Sequence, residues 1–334
     1  MLIYKRTKTI DGKRTVLFGI PIMSEKKYPD KTKKVYLFGI FKKIKMPYVS
    51  YFYMFGIRVN TKVHHQHLIS FLHSLQASSV AENKKNIIMA NSVTQLHLQT
   101  FPSFKNCNLN QNIVVVGCGP TLNNYSYMNK AKHIALNRAI CCDRIKFDYS
   151  FWVDYRNDTD KWLEQFSKYD CIKFYGKHMN FIPPINERGC AHIPDYVAIR
   201  DNALRFYSNA FDPHIYQDIS CAPLVDLGSV AHCAVHFALY THPKKIYLVG
   251  CDCSNNGYFN NRPQPIWSPD KVIDGYMHIK NFAQVYYPDI EIISVNPVGL
   301  RGLFKDVYTE SFLQQHPEID RNSIEIINEK GEII

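Results

Sequence analysis

The chain has 334 residues, 46% hydrophobic and 21% charged, with a formal net charge of +11. That balance excludes a wholly disordered chain and supplies a sizeable core for one large domain or two smaller ones. No run of 18 apolar residues and no apolar leader are present, so neither a spanning helix nor a signal peptide is expected.

Residues 1–62 hold 15 Lys and Arg against three acids, a net of +12, whereas the other 272 residues hold 25 bases and 26 acids. The positive field therefore belongs to the N-terminal stretch, and it suits polyanions: anionic headgroups, phosphorylated glycolipid or nucleic acid. The same stretch repeats itself. Leu17-Phe18-Gly19-Ile20 recurs as Leu37-Phe38-Gly39-Ile40 and as Met54-Phe55-Gly56-Ile57. These runs read as short strands or hairpins with Gly at a bend or bulge. The expectation is a small basic β-rich module over 1–62, either a solvated appendage or a surface for a membrane interface.

Residues 63–111 read as a helical connector, with Leu68, Phe71, Leu72 and Leu75 at helical spacing. His64, His65, His67 and His73 there have no carboxylate or cysteine to complete a metal site. The ten cysteines show no zinc or CxxC spacing, which fits reduced, mostly buried thiols in a cytoplasmic protein.

From residue 112 to 334 the pattern becomes that of an α/β domain. Ile113–Val116 is a short apolar run, expected as a strand buried on both faces. Further strands are expected at His133–Asn137, Asp148–Val153, Cys171–Tyr175, Ile246–Val249 and Glu291–Val295, with an apolar helix over Leu227–Leu239. Residues 305–334 read as a short helix and a polar tail. Alternation of this kind implies a mainly parallel sheet, which binds ligands beyond the carboxyl ends of its strands.

The sharpest motif follows the first of these strands: Gly117-Cys118-Gly119-Pro120-Thr121-Leu122. Glycines there let the backbone approach a phosphate and offer it N–H groups. Leu122 breaks a dinucleotide fingerprint, and no Gly-Lys-Ser/Thr makes a P-loop. Asn137, Asp154 and Asp252 stand at other strand ends, where Asn137 can hydrogen-bond a ribose or sugar ring and Asp154 or Asp252 can do the same or act as a base. Gly228-Ser229 opens the apolar helix and offers a second anion-binding N-terminus.

These residues resemble glycosyltransferase family 42, the bacterial sialyltransferases, whose loop reads G-N-G-P-S-L. A related loop occurs in a wider group that includes flagellin-glycosylating factors and pterin diphosphokinase-like proteins. A second block is similar too: Gly228-Ser229-Val230, Cys233-Ala234-Val235, Ile246–Val249, Gly250-Cys251-Asp252 and Asn256-Gly257, with Asn137 matching the family's Asn after its second strand.

The resemblance covers roughly residues 112–300 and implies a single GT-A-like nucleotide-binding domain. It implies an inverting glycosyltransferase that needs no metal or other cofactor and takes a CMP-activated sugar. Gly117, Cys118, Gly119, Pro120, Thr121, Asn137, Asp154, Gly228, Ser229, Asp252 and Tyr258 would then hold the nucleotide and donor. A histidine in a late loop, here Arg262 to Tyr276 and just beyond, would be the general base. His278 is the histidine nearest that place, with Asp270 and Asp274 as rivals. Two departures stand out. The family's Arg before its Ser-Gly turn is replaced by Val225-Asp226-Leu227, and its tyrosine after Gly-x-Asp falls on Ser254, leaving Tyr258 nearest.

The expected partners are a nucleotide-sugar donor and a glycan or glycolipid acceptor, such as lipopolysaccharide or capsule, with peripheral contact at the inner membrane face through residues 1–62. No nucleic acid is expected. The alternatives are a Mg-dependent diphosphokinase-like enzyme using Asp154 and Asp252, and a non-enzymatic polyanion-binding protein.

Overall fold

A computed structural model describes residues 4–333 apart from 10–11, 18–19, 29–30, 38–40, 47–48, 56, 64, 154–163, 165, 180–192, 211 and 264–267. The chain forms two compact units, Met1–Ile87 and Ile88–Ile334.

The first unit is an antiparallel meander of seven strands in sequence order: β1 (Tyr4–Thr9), β2 (Gly12–Leu17), β3 (Ile20–Lys27), β4 (Lys33–Leu37), β5 (Phe41–Lys45), β6 (Val49–Met54) and β7 (Ile57–Val63). Aromatic and β-branched residues interleaved with lysines favour strands over helix here. Each Leu/Met-Phe-Gly-Ile repeat straddles a hairpin, β2–β3, β4–β5 or β6–β7. The ladder shifts register at Thr15/Val16 and at Phe52/Tyr53. The glycines of the repeats lie outside the described residues. Helix α1 (His65–Thr100) follows, and His73 is exposed on it. No helix among the described residues is long and apolar enough to cross a membrane.

The second unit is α/β. It contains β8 (Asn112–Val116), β9 (Lys132–Leu136), β10 (Tyr149–Trp152), β11 (Ile172–His178), α2 (Asp195–Arg200), β12 (Leu204–Ala210), β13 (Leu224–Asp226), α3 (Val230–Tyr240), β14 (Lys245–Val249), α4 (Pro269–Tyr286), β15 (Glu291–Val295), β16 (Lys305–Tyr308), α5 (Glu310–Gln315) and β17 (Glu325–Ile326). The ten strands form one sheet in the order β13-β12-β11-β10-β9-β8-β14-β15-β16-β17, and every pairing is parallel. The alternation inside β8 shows why. Ile113 and Val115 join one core cluster, Val114 and Val116 the other, so the strand is buried on both faces. The first face carries α3 and α4, with Phe151, Phe174 and Phe237 stacked between sheet and helix. The second carries Leu122, Tyr125, Ile140, Phe147 and α2.

Three sequence expectations are corrected here. Residues 305–334 are not a helix and tail only: β16 and β17 extend the sheet on either side of α5. The supposed late loop is helical from Pro269 onward. Strands β12 and β13 were not expected at all.

Four histidines are built into this unit's core. In His232, Nδ1 accepts from the Leu227 N–H at 3.2 Å, so Nε2 donates to the Val272 carbonyl at 3.1 Å. His236 does the same between the Val225 N–H and the Tyr216 carbonyl. His97 accepts from the Tyr207 N–H at Nε2 and donates to the Ile219 and Ala222 carbonyls at Nδ1. His133 donates to the Ala131 carbonyl and meets the Tyr125 hydroxyl at 2.9 Å. Each ring is neutral, and burial pushes each pKa down to about 4.

Candidate functional site

From β8 the chain lays down β9 to β13 on one side, then returns to place β14 on the other. The switch point is thus the carboxyl end of the β8–β14 pair, where open parallel sheets bind ligands. The pair runs in register from Asn112↔Lys245 to Val116↔Val249. It continues past the strands: the Gly117 N–H donates to the Val249 carbonyl at 2.7 Å and the Gly119 N–H to the Gly250 carbonyl at 2.8 Å.

This contact explains the glycines. A Cβ on Gly117 would collide with the Gly250 carbonyl, one on Gly250 would lie 2.7 Å from the Gly117 carbonyl, and one on Gly119 would land on the Asp252 carboxylate. Gly250 also has φ +62°. The amides of Gly117, Gly119, Thr121 and Leu122 all bond within the protein. The loop's glycines therefore serve loop-to-loop packing, a different physical reason from the offer of free N–H groups to phosphate.

Asp252 is the latch. One carboxylate oxygen accepts the Thr121 N–H at 3.0 Å and the other accepts the Thr121 hydroxyl. The residue is 6% exposed, and burial raises its pKa even though the two Thr121 bonds pull it down. Its own carbonyl accepts the Gly299 N–H at 2.8 Å. The loop beyond then doubles back: the Phe259 N–H donates to the Cys118 carbonyl, and the Phe259 carbonyl accepts the Asn123 amide. Tyr258, half-buried, gives its N–H to the Arg262 carbonyl in that turn, and Cys118, Gly119 and Pro120 are half-buried as well. The Cys118 and Cys251 thiols are pushed up to about 12 by burial and stay protonated at neutral pH.

Asn137 sits one strand over, immediately after β9. Its φ is +49°, and its Oδ1 is buried with no hydrogen-bond partner among the described residues. Asn tolerates the left-handed region, and the orphaned acceptor at this strand end is the feature that calls for a partner.

The Gly228-Ser229 turn is less open than the sequence reading supposed. The Ser229 hydroxyl caps α3 by accepting the Ala231 N–H, the His232 N–H bonds to the Ser229 carbonyl, and Gly228, at φ +97°, gives its N–H to Asp226 at 3.0 Å. The same Asp226 lies 3.6 Å from His178 Nδ1, which is 2.9 Å from the Ser208 hydroxyl. His178, Ser208 and Asp226 come from the carboxyl ends of three adjacent strands, β11, β12 and β13. Sequence reasoning missed this trio. The signal available was a departure already noted, an aspartate where the resembling family has an arginine.

Asp270, Asp274 and His278 occupy one exposed stripe of α4, four residues apart, while Val272, Gly275, Tyr276 and Ile279 face inward. The helix runs from the carboxyl edge toward the amino edge, because it links β14 to a parallel β15. Asp270 is in its first turn, and His278 is about 12 Å further along the axis at 1.5 Å per residue. Asp154 lies outside the described residues. No group of three metal-ligating side chains occurs among those that are described.

No protein-family model and no curated protein sequence match the chain. Two similar solved structures are sialyltransferases. The sialyltransferase CstII from Campylobacter jejuni, in complex with the substrate analogue CMP-3FNeuAc, is 13% identical with a TM-score of 0.32, over 55% of this chain and 80% of that one. A point mutant of the alpha-2,3/8-sialyltransferase CstII is 15% identical with a TM-score of 0.32, over 55% and 81%.

Proposed function

We propose that the chain is a glycosyltransferase with a GT-A-like nucleotide-binding unit. It moves a sugar from a nucleotide donor, a CMP-activated acidic sugar such as sialic acid being favoured, to a glycan or glycolipid acceptor such as lipopolysaccharide or capsule at the inner membrane face. The observation that carries this reading is Asn137. Its unpartnered Oδ1, beside the switch point, needs a donor, and a sugar hydroxyl or the exocyclic amine of a base supplies one. In the proposed reaction the acceptor hydroxyl attacks the anomeric carbon, the bond to the nucleotide phosphate breaks, and the phosphate leaves with the electron pair. The hydroxyl's proton goes to a base. The residues proposed around donor and nucleotide are Gly117 to Thr121, Asn137, Asp154, Gly228, Ser229 and Tyr258, with Asp252 holding the loop through Thr121 rather than touching the ligand.

For the base, Asp270, Asp274 and His278 are proposed, with Asp270 nearest the carboxyl edge. His178 is a fourth choice, favoured by its strand-end position and its contact with Ser208 and Asp226. Replacing each in turn, Asp270→Asn, Asp274→Asn, His278→Gln and His178→Gln, identifies the base as the one whose loss lowers kcat with the donor still bound. The diphosphokinase reading loses ground because Asp252, one of its two carboxylates, is buried with both oxygens engaged by Thr121.

A thermal-shift panel with CMP, UDP, GDP and ADP, each with and without Mg²⁺, tests the reading. Stabilisation by CMP regardless of metal supports it. UDP or GDP would keep the transferase and change the donor, Mg-dependent ADP would favour the kinase, and no response to any nucleotide would remove the pocket.

A further inference from the structure

We propose that one face of the N-terminal sheet docks onto an anionic phospholipid bilayer, with an apolar rim entering the acyl boundary and a lysine row meeting the phosphates. This deepens the membrane contact proposed above by naming the surface. It is read on lipid vesicles with no donor or acceptor present, so it stands or falls apart from transfer.

The meander puts the β2–β3, β4–β5 and β6–β7 turns, which carry the three repeats, on one rim of the sheet, and the other turns on the opposite rim. Along the repeat rim Met23↔Leu37, Leu37↔Phe41, Phe41↔Met54 and Met54↔Ile57 pair directly. Directly paired residues share a face, so this is one apolar row. Leu37, Phe41, Met54 and Ile57 in it are 40%, 47%, 39% and 70% exposed. Four residues away along the strands, on the same face, Lys27↔Lys33 and Lys33↔Lys45 pair directly.

Like charges placed directly opposite each other destabilise a sheet. Glu25 bonds Lys33 at 3.0 Å and its charge also acts on Lys27, so one carboxylate answers a row of three lysines. The row is therefore built for an external run of anions, and the adjoining apolar row distinguishes a lipid interface from nucleic acid. The two rows are about 14 Å apart at 3.4 Å per residue. Tilt and the reach of the lysine side chains bring that within the headgroup layer.

Phe55 adds an independent observation. It has φ +51° at the tip of its hairpin and is 72% exposed. Two-residue hairpins prefer Asn-Gly, since a bulky residue is strained in the left-handed region. Here Phe-Gly stands instead, so strain is accepted to keep an exposed phenyl ring at the rim.

The test is co-sedimentation of the full chain with phosphatidylcholine vesicles, with and without phosphatidylglycerol. Phe55→Asn gives the favoured turn sequence, so it folds at least as well as the parent, a point checked by its melting temperature. The parent should bind the anionic vesicles, more weakly in high salt. Lys27→Gln, Lys33→Gln and Lys45→Gln together should weaken binding about a hundredfold, at about fivefold per lysine. Phe55→Asn should weaken it as well, and Phe55→Trp should shift its emission to the blue on anionic vesicles only. Equal binding to neutral vesicles, no binding, binding indifferent to Phe55→Asn, or tighter binding to single-stranded RNA than to vesicles would each overturn the proposal.

Discussion

Acidification should unfold the second unit well before its carboxylates are all protonated, because four core histidines cannot take a proton without breaking their bonds. The sign follows from burial. The folded pKa of His97, His133, His232 and His236 is down at about 4, against 6.5 when unfolded. Below pH 6.5 the unfolded chain binds protons that the folded one does not, so stability is full above 6.5 and falls toward pH 4. By pH 5 each histidine contributes a loss of about 2 kcal/mol, and the four together about 8 kcal/mol. A domain is stable by only about 5–15 kcal/mol, so the transition should fall near pH 5. Asp252 and Asp306 act the other way, because burial raises their pKa values and the folded state takes up a proton first, but they are two groups against four. Urea unfolding followed by circular dichroism between pH 7.5 and pH 5 measures the slope directly. A slope of three to four protons is expected, and His97→Gln should lower it by about one. A slope of one proton or fewer would refute the reasoning.

Three further outcomes follow from the switch point. Asp252→Ala should destabilise the protein by about 2–4 kcal/mol in urea unfolding, since it orphans the Thr121 N–H and hydroxyl and parts the two loops. Gly250→Ala should cost about 2 kcal/mol or more by the same assay, because the new Cβ meets the Gly117 carbonyl at a left-handed position. Asn137→Ala should separate binding from stability. Removing an unpaired buried acceptor is offset by the poorer fit of Ala at φ +49°, so the melting temperature of the free protein should change little, while the shift induced by CMP disappears.

What was legible in the sequence was whatever a single strand or helix announces by itself. Ile113–Val116 and Ile246–Val249 are unbroken apolar runs, Glu291–Val295 is built around Ile292, Ile293 and Val295, and all three are central strands. The apolar helix was found because its buried residues, Val230 to Tyr240, leave no polar face. Strands β13 and β16 have three and four residues and pair only because their neighbours set the register, which no local pattern reports. Strand β12 hides behind Arg205 and Asn209. At the site, the glycine loop and Asp252 were visible, yet the partner that explains the glycines lies 131 residues away. The His178–Ser208–Asp226 trio needed three strands side by side before it existed.

The placement of β8 has a consequence for how the protein comes into being. The strand that leads into the glycine loop has its partner β14 only after more than a hundred further residues have left the ribosome. Until then β8 has one open edge and the loop has no second wall, so a nascent or prematurely ended chain that already contains Gly117 to Asn137 lacks the finished switch point. Such long-range parallel pairing also makes closure slow. The site is thus completed by a late folding event rather than by the synthesis of its first motif, and until then its exposed strand edge is a place where chaperones are needed.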